Sequence, residues 1–322
     1  MKAYVYGANG PAITDVPQPA PKGAQVLVKV RACGLNRADL GMTKGHVHGS
    51  RGGVGTALGM EWAGEVAALG PQAKGVAVGD RIMGSGAAAL AEYTLADAGR
   101  IFRAPSNMNF EEAATLPVAL TTMHNAVVTN GALQAGQSVL IQGASSGVGL
   151  MAMQIAKLKG ARLVVGSSTN AMRRGRLKEF GADLAIDSSD PGWVEQVLAA
   201  TNGEGVDLIV DQVSGKVANQ NLAATRIKGR IVNVGRLGGT HADFNFDLHA
   251  ARRINYIGVT FRTRTAEEIA EIFDEVRKDI WAAVESRKLQ LPIDRVFKFE
   301  DIGAAFAHME ANKHLGKIVV TL

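Results

Sequence analysis

The run Val139-Leu140-Ile141-Gln142-Gly143-Ala144-Ser145-Ser146-Gly147-Val148-Gly149, continuing into Leu150-Met151-Ala152-Met153-Gln154-Ile155-Ala156-Lys157, decides how this chain is read. A short apolar strand, a turn of small residues and a helix start gather backbone N–H groups and the positive end of a helix at one point, which is a place for a pyrophosphate. Gly147 and Gly149 permit close approach, while Ala144 and Ser146 stand at the first two glycine positions of the stricter G-x-G-x-x-G pattern. Alone, such a turn is equally a plain strand-to-helix connection. Further strand–helix units behind it favour the dinucleotide reading.

Those units are Ala161–Val165, Val206–Val210 and Arg230–Val234, apolar runs separated by segments of helical length such as Gly149 to Lys159 and Val194 to Thr201. This alternation predicts an α/β, doubly wound parallel sheet with helices on both faces, over residues 119–284. Before it the rhythm differs: Val26–Val30, Gly64–Val66, Gly79–Met83 and Ala91–Leu95 are short alternating runs broken by glycine turns, the pattern of a partial β-barrel. Short strands return at Arg295–Phe299 and Lys317–Val320 after a helical segment from Ala266 to Arg287. The first domain is therefore expected to be discontinuous, comprising residues 1–118 and 285–322.

The 322 residues are 47% hydrophobic and 20% charged with a mean hydropathy of +0.05, the balance of a folded chain rather than a disordered one. One cysteine, Cys33, excludes an internal disulfide. The opening Met1–Tyr6 alternates and then meets Gly7, so no secretion signal is expected, and no apolar run approaches the length of a membrane span. A cytoplasmic location is the expectation. Lysine and arginine exceed aspartate and glutamate only by 35 to 30, and aromatics are 5%, which argues against a nucleic-acid surface.

The end of the second strand selects the dinucleotide. Where an NAD site places a carboxylate for the ribose hydroxyl, this chain has Ser167-Ser168-Thr169, followed by Arg173 and Arg174. NADPH is expected, with Arg173 the better placed for the 2′-phosphate.

Seven segments occur in order: Cys33-Gly34-Leu35-Asn36-x-x-Asp39, Leu58-Gly59-x-Glu61-x-x-Gly64-x-Val66, Gly79–Met83, Ala113-Ala114-x-Leu116-Pro117, Gly143–Gly149, Gly181-Ala182-Asp183 and Gly316-Lys317-Ile318-Val319. Together they resemble the zinc-independent quinone oxidoreductase, zeta-crystallin-like branch of the medium-chain dehydrogenase/reductase superfamily, from end to end. The resemblance implies a GroES-like catalytic domain, a Rossmann domain, and NADPH delivering hydride in the cleft between them. It further implies Asn36, Asp39 and Thr121 on the catalytic side. For the cofactor it implies Thr121, Ser145, Ser146, Gly147, Val148, Ser168, Arg173, Gly235, Phe261, Arg262 and Lys317. In related zinc enzymes a cysteine and a histidine bind the catalytic metal; Cys33 matches the first, but Met60 stands where the histidine would be. No metal is expected, since a thioether and one thiolate make a poor tetrahedral zinc site.

Without a Lewis acid, quinones and activated enones are the expected small-molecule acceptors, because charge after hydride addition spreads into an enolate or hydroquinone anion. Asn36 is a candidate donor to the acceptor carbonyl. The loop over residues 41–58 lacks the tyrosines common in such pockets and offers Lys44, His46 and Arg51 as donors or anion-binders. An apolar edge segment, Asn255–Phe261, is expected to pair across a two-fold axis into a homodimer. An enoyl-thioester reductase shares the Cys-Gly-Leu-Asn and Gly-Val-Gly patterns, although the absence of a carrier or linker speaks against it; an NADPH-holding binding protein is a reading of another class.

Overall fold

The computed structural model describes residues 1–49 and 51–322. Two compact units divide the chain: Met1–Thr121 with Phe261–Leu322, and Thr122–Thr260.

The second unit is built on a six-stranded sheet whose strands, in chain order, are Ser138–Gln142, Leu163–Ser167, Leu184–Ile186, Val206–Asp211, Thr225–Asn233 and Asn255–Gly258. Across the sheet they lie third, second, first, fourth, fifth, sixth, every neighbour parallel. This is the Rossmann order, in which the chain reverses direction beside its first strand and leaves a ligand crevice at the carboxyl ends. Ser138–Gln142 is buried at every position, as a central strand covered on both faces must be. It runs directly into the turn at Gly143 and the helix Gly147–Leu158.

The first unit is organised by the long strand Gln25–Gly34, which pairs antiparallel with Glu61–Leu69, Tyr93–Asp97 and the C-terminal Lys317–Thr321. Apolar side chains from these strands and from the helix Ile302–Glu310, among them Val28, Trp62, Ile82 and Phe306, fill one core. Register places Cys33 opposite both Trp62 and Val320, and Gly34 opposite both Glu61 and Val319. The return of the last strand thus brings Lys317 towards Glu61.

The second boundary differs from the one read along the chain. The helix Ala266–Glu285 packs in the first unit, where Phe273 and Trp281 stack on Phe102 with centroids 4.5 and 4.8 Å apart and Arg277 donates to the Ile101 carbonyl at 2.6 Å. A long helix after a parallel strand resembles a crossover, and its apolar stripe does not say which sheet covers it. The division at Thr260 also moves Phe261 and Arg262 out of the Rossmann unit, to which the expected boundaries had assigned them. No helix among the described residues is long and apolar enough to cross a membrane.

Candidate functional site

In the second unit the phosphate turn rests on a continuous network of buried polar groups. The Gly143 N–H donates to Ser167 Oγ at 3.0 Å, Ser167 Oγ donates to Gln142 Oε1 at 2.6 Å, Gln142 Nε2 to Asn221 Oδ1 at 2.9 Å, and Asn221 Nδ2 to Asp211 Oδ2 at 3.0 Å. Asp211 also accepts from the Val213 and Ser214 N–H groups. Burial pushes its carboxyl up from the usual range, opposed by these donors. A satisfied network of this kind holds its members in one geometry, whereas a broken one leaves desolvated groups behind.

Ser146 caps the helix: Gly149 N donates to its Oγ at 3.0 Å, and the same Oγ lies 2.9 Å from Gln212 Oε1. The first-turn N–H groups of Gly147 and Val148 have no intrahelical acceptor and remain for an anion. Ser145 and Ser168, both buried, join through their hydroxyls at 3.0 Å. Gly235 closes on the next loop, its N–H donating to the Asp211 carbonyl and its carbonyl accepting from Ser214 Oγ at 2.7 Å. Ser214 itself has φ of +57°, a conformation that costs a non-glycine residue and clusters at functional sites.

Asn170 caps the short helix Ala171–Gly175. Arg174 donates to the Ser168 carbonyl at 2.8 Å and to Asp187 at 2.9 Å, a structural brace, and Arg173 occupies the adjacent position on the same turn. The residues of this unit fit a dinucleotide, with small side chains and a capped helix start at the pyrophosphate position and no carboxylate among Ser167, Ser168 and Thr169.

The first unit holds a buried charge cluster. Lys317, 4% exposed, forms an ion pair with the wholly buried Glu61, and its Nζ also donates to Asn36 Oδ1 at 3.0 Å. Asn36 Nδ2 donates to Glu61 Oε1 at 2.9 Å and to the Gly34 carbonyl at 3.3 Å, while the Val118 N–H donates to Glu61 Oε2 at 2.9 Å. Burial raises the Glu61 carboxyl and Lys317 opposes it. Asp39 closes the start of the helix Arg37–Met42 by accepting the Asn36 N–H at 2.8 Å; its other oxygen is buried without a hydrogen-bond partner. Cys33 is wholly buried, and its thiol is pushed well above the usual value by burial and by Asp39 and Glu61. Thr121 donates to the Pro117 carbonyl at 2.7 Å.

Asn36, Asp39 and Lys317 thus come together. Asn36, the candidate donor to an acceptor carbonyl, has its amide N–H groups directed to Glu61 and the Gly34 carbonyl. Lys317, expected at the cofactor, is committed to Glu61 and Asn36. Glu61, Gln142, Asp211 and Gln212 escaped the sequence reading. Glu61 carried a signal, a carboxylate heading the otherwise apolar strand Glu61-Trp62-Ala63; a glutamine ending a buried strand carries little.

Burial pushes Asp39 up to about 7, with Asn36, Lys317 and Arg51 opposing and Glu61 reinforcing. The folded state therefore holds this proton more tightly than the unfolded chain, and the associated stability, complete below the unfolded carboxylate range, is lost as pH rises through about 7. Asp39→Asn is expected to flatten the fall in stability between weakly acidic and neutral pH, measured by urea unfolding of both proteins across that range. An unchanged pH profile would contradict it.

Family models match two segments: alcohol dehydrogenase GroES-like domain over residues 22–106, and zinc-binding dehydrogenase over residues 147–278. The donor set does not fit the metal of that second name. Cys33 is a buried neutral thiol, Met60 offers only a thioether, Glu61 is held by Lys317, and the described residues contain no group of three metal-ligating side chains. Among curated proteins, a phenolphthiocerol synthesis polyketide synthase of Mycobacterium marinum is 32% identical over 98% of this chain and 15% of its own length. The chain spans only about a seventh of the length of the first curated relatives it matches, 14% in each case. Among solved structures, the CurK enoyl reductase has a TM-score of 0.88 at 25% identity over 99% of each chain. The mycobacterial Rv1454c complexed with NADPH has a TM-score of 0.87 at 25% identity over the whole of both chains. An alcohol dehydrogenase superfamily protein from Novosphingobium aromaticivorans is 30% identical with a TM-score of 0.89, covering 100% of this chain and 99% of that one. With a GroES-like segment, a Rossmann sheet and a whole-length relative at this level of identity, the chain belongs to the medium-chain dehydrogenase/reductase branch of the alcohol dehydrogenase superfamily, an oxidoreductase fold built to bind NAD(P).

Proposed function

We propose that this chain is an NADPH-dependent reductase that transfers hydride to a quinone or an enone. The observation that carries the reading is the neutralised cluster around Glu61: its charge is spent on Lys317, and Cys33 beside it is a neutral thiol. These residues supply no Lewis acid to stabilise an alkoxide. A conjugated acceptor brings its own electron sink. Bound nicotinamide supplies the hydride; the chain supplies orientation and the exclusion of water. Asn36 and Asp39 are positioning residues that hold Lys317, Glu61 and the start of their helix. Thr121, whose proton is donated to Pro117, keeps oxygen lone pairs for a donor such as a carboxamide N–H.

NADPH rather than NADH is supported by Ser168 and Arg173 at the second strand, and by a structural neighbour solved with NADPH. Arg173→Ala is expected to weaken NADPH by about tenfold to a hundredfold, the worth of one charge-assisted contact, and to leave NADH unchanged. Titration of both cofactors by fluorescence checks this; equal losses would assign Arg173 a structural part.

Enoyl thioesters are the second acceptor class, favoured by likeness to a polyketide synthase and to an enoyl reductase. The strand Asn255–Gly258, at the edge of its sheet with Tyr256 partly exposed, supports a homodimer. NADPH consumption with naphthoquinone, an enone and a crotonyl thioester, each with and without chelator, tests the reading. Chelator-insensitive turnover of a conjugated acceptor upholds it, and turnover of simple ketones alone would overturn it.

A further inference from the structure

The first unit contains a cavity of about 210 Å³, and none of the residues lining it is assigned above to cofactor or acceptor. Its inner wall is formed by Met108, Thr115, Leu116 and Leu291, all buried, and its rim holds the partly exposed Glu112 and Arg287. Three stretches of chain meet here: the helix Phe110–Ala113 with the turn after it, the end of the helix Ala266–Glu285, and the approach to the strand Ile293–Lys298. The rim is fixed by hydrogen bonds. Arg287 donates to the Glu112 carboxylate and to the Asn107 carbonyl at 2.7 Å, while Asn107 Nδ2 donates to the Glu285 carbonyl at 3.0 Å. Arg287 has φ of +59° just past the end of its helix, a conformation that glycine takes freely, so this side chain is kept at the rim against a backbone preference.

Size and chemistry select the occupant. A cavity of about 150 Å³ suffices for benzene, so this one takes a single ring with a small substituent. Thr115 is the one polar side chain among the four of the inner wall. Its hydroxyl donates to the Glu112 carbonyl at 2.7 Å, which leaves it lone pairs to accept a proton from a small donor such as a hydroxyl. The rim charges cancel each other, and an ion against Met108, Leu116 and Leu291 would lose its hydration with nothing in the wall to offset the loss. A neutral ring bearing a hydroxyl meets each condition. Two short connections join this wall to the Glu61–Lys317 pair. Leu116 leads through Pro117 to Val118, whose N–H donates to Glu61 Oε2 at 2.9 Å. Ile293, also in the lining, stands opposite Lys317 in the strand register, and the Lys317 N–H donates to the Pro292 carbonyl at 2.9 Å.

We infer that this cavity is a binding site for a neutral, single-ring phenol, and that its occupation braces the two backbone segments holding Glu61 and Lys317. The hydroquinone formed in the proposed reaction belongs to that chemical class, but the site does not depend on that reaction.

The test titrates p-cresol, toluene and benzoate by calorimetry into the full chain, Thr115→Val and Ile293→Trp, with thermal unfolding of each protein. The expected result is that p-cresol binds the wild type saturably, toluene about tenfold more weakly, the worth of one neutral hydrogen bond, and benzoate not at all. Thr115→Val lowers the p-cresol affinity about tenfold and leaves toluene unchanged. Ile293→Trp, which fills the cavity, abolishes both. Hydrogen exchange of the Val118 and Lys317 amides slows when p-cresol is bound, and the NADPH affinity is the same with and without it. Absence of saturable p-cresol binding, or equal affinity in all three proteins, would overturn the site. Benzoate binding as tightly as p-cresol would overturn the neutral class, and unchanged exchange at Val118 and Lys317 would overturn the brace. Competition of p-cresol with NADPH or naphthoquinone would place it with the cofactor or the acceptor and overturn a separate site. If Thr115→Val does not fold, Ile293→Trp and the exchange pattern decide the location, and p-cresol against toluene on the wild type decides the part of the hydroxyl.

Discussion

Replacing Gly149 with alanine is expected to weaken NADPH binding by about tenfold to a hundredfold, the equivalent of the ~1–3 kcal/mol that overpacking costs in a close-packed site. A Cβ at this position would lie 2.6 Å from the Gly143 carbonyl oxygen and 2.7 Å from both Cα and the carbonyl oxygen of Ala144. All three contacts are backbone, so no side chain can swing aside. Relief must come from displacing the turn from the helix start. That turn is tied through Gly143 N–H and Ser167 to Gln142, Asn221 and Asp211, so displacement breaks bonds that the interior cannot replace. Gly303→Ala is the control: it lies within the helix Ile302–Glu310 with nothing near its added Cβ, and alanine there is expected to be neutral for NADPH and slightly stabilising. Fluorescence titration of both variants makes the comparison. An unweakened Gly149→Ala protein would remove the turn from the cofactor site.

Lys317→Met is expected to destabilise the protein by about 3–5 kcal/mol at neutral pH, the penalty for leaving one charge of a buried pair unmatched. Glu61 is wholly buried, and after the substitution only Asn36 and the Val118 N–H would face its carboxylate. With Lys317 gone, only these two donors oppose the burial that raises the Glu61 carboxyl. A carboxyl raised in the fold contributes its stability when protonated, so the defect is expected to shrink on acidification and grow as pH rises. Adding Glu61→Gln is expected to recover much of the loss, because a neutral amide needs no cation. Urea unfolding of the single and double variants at two pH values checks the magnitude and the sign. A loss of under about 1 kcal/mol, typical of a solvated pair, would show that the cluster is wet.

The readings that succeeded along the chain concern neighbours in sequence. Strand, turn and helix at Val139–Gly149 are contiguous. The alternation of apolar strands with helical segments was enough to foresee a doubly wound sheet, and the short strands at the C terminus were enough to foresee their return to the first domain. The reading that failed, the side on which Ala266–Glu285 packs, concerns a helix whose apolar stripe fits either sheet. Only the stacking of Phe273 and Trp281 on Phe102 decides it.

The amino-acid sequence by itself determined the fold class and the superfamily, because each rests on periodicity or on side chains a few residues apart. Tertiary structure alone decided which partners Asn36 and Lys317 hold. Lys317 and Glu61 stand 256 residues apart, joined by a register in which Gly34 is flanked by Glu61 on one strand and Val319 on the other. A charge's role depends on which opposite charge burial forces against it, and that pairing is set by strand register rather than by spacing along the chain.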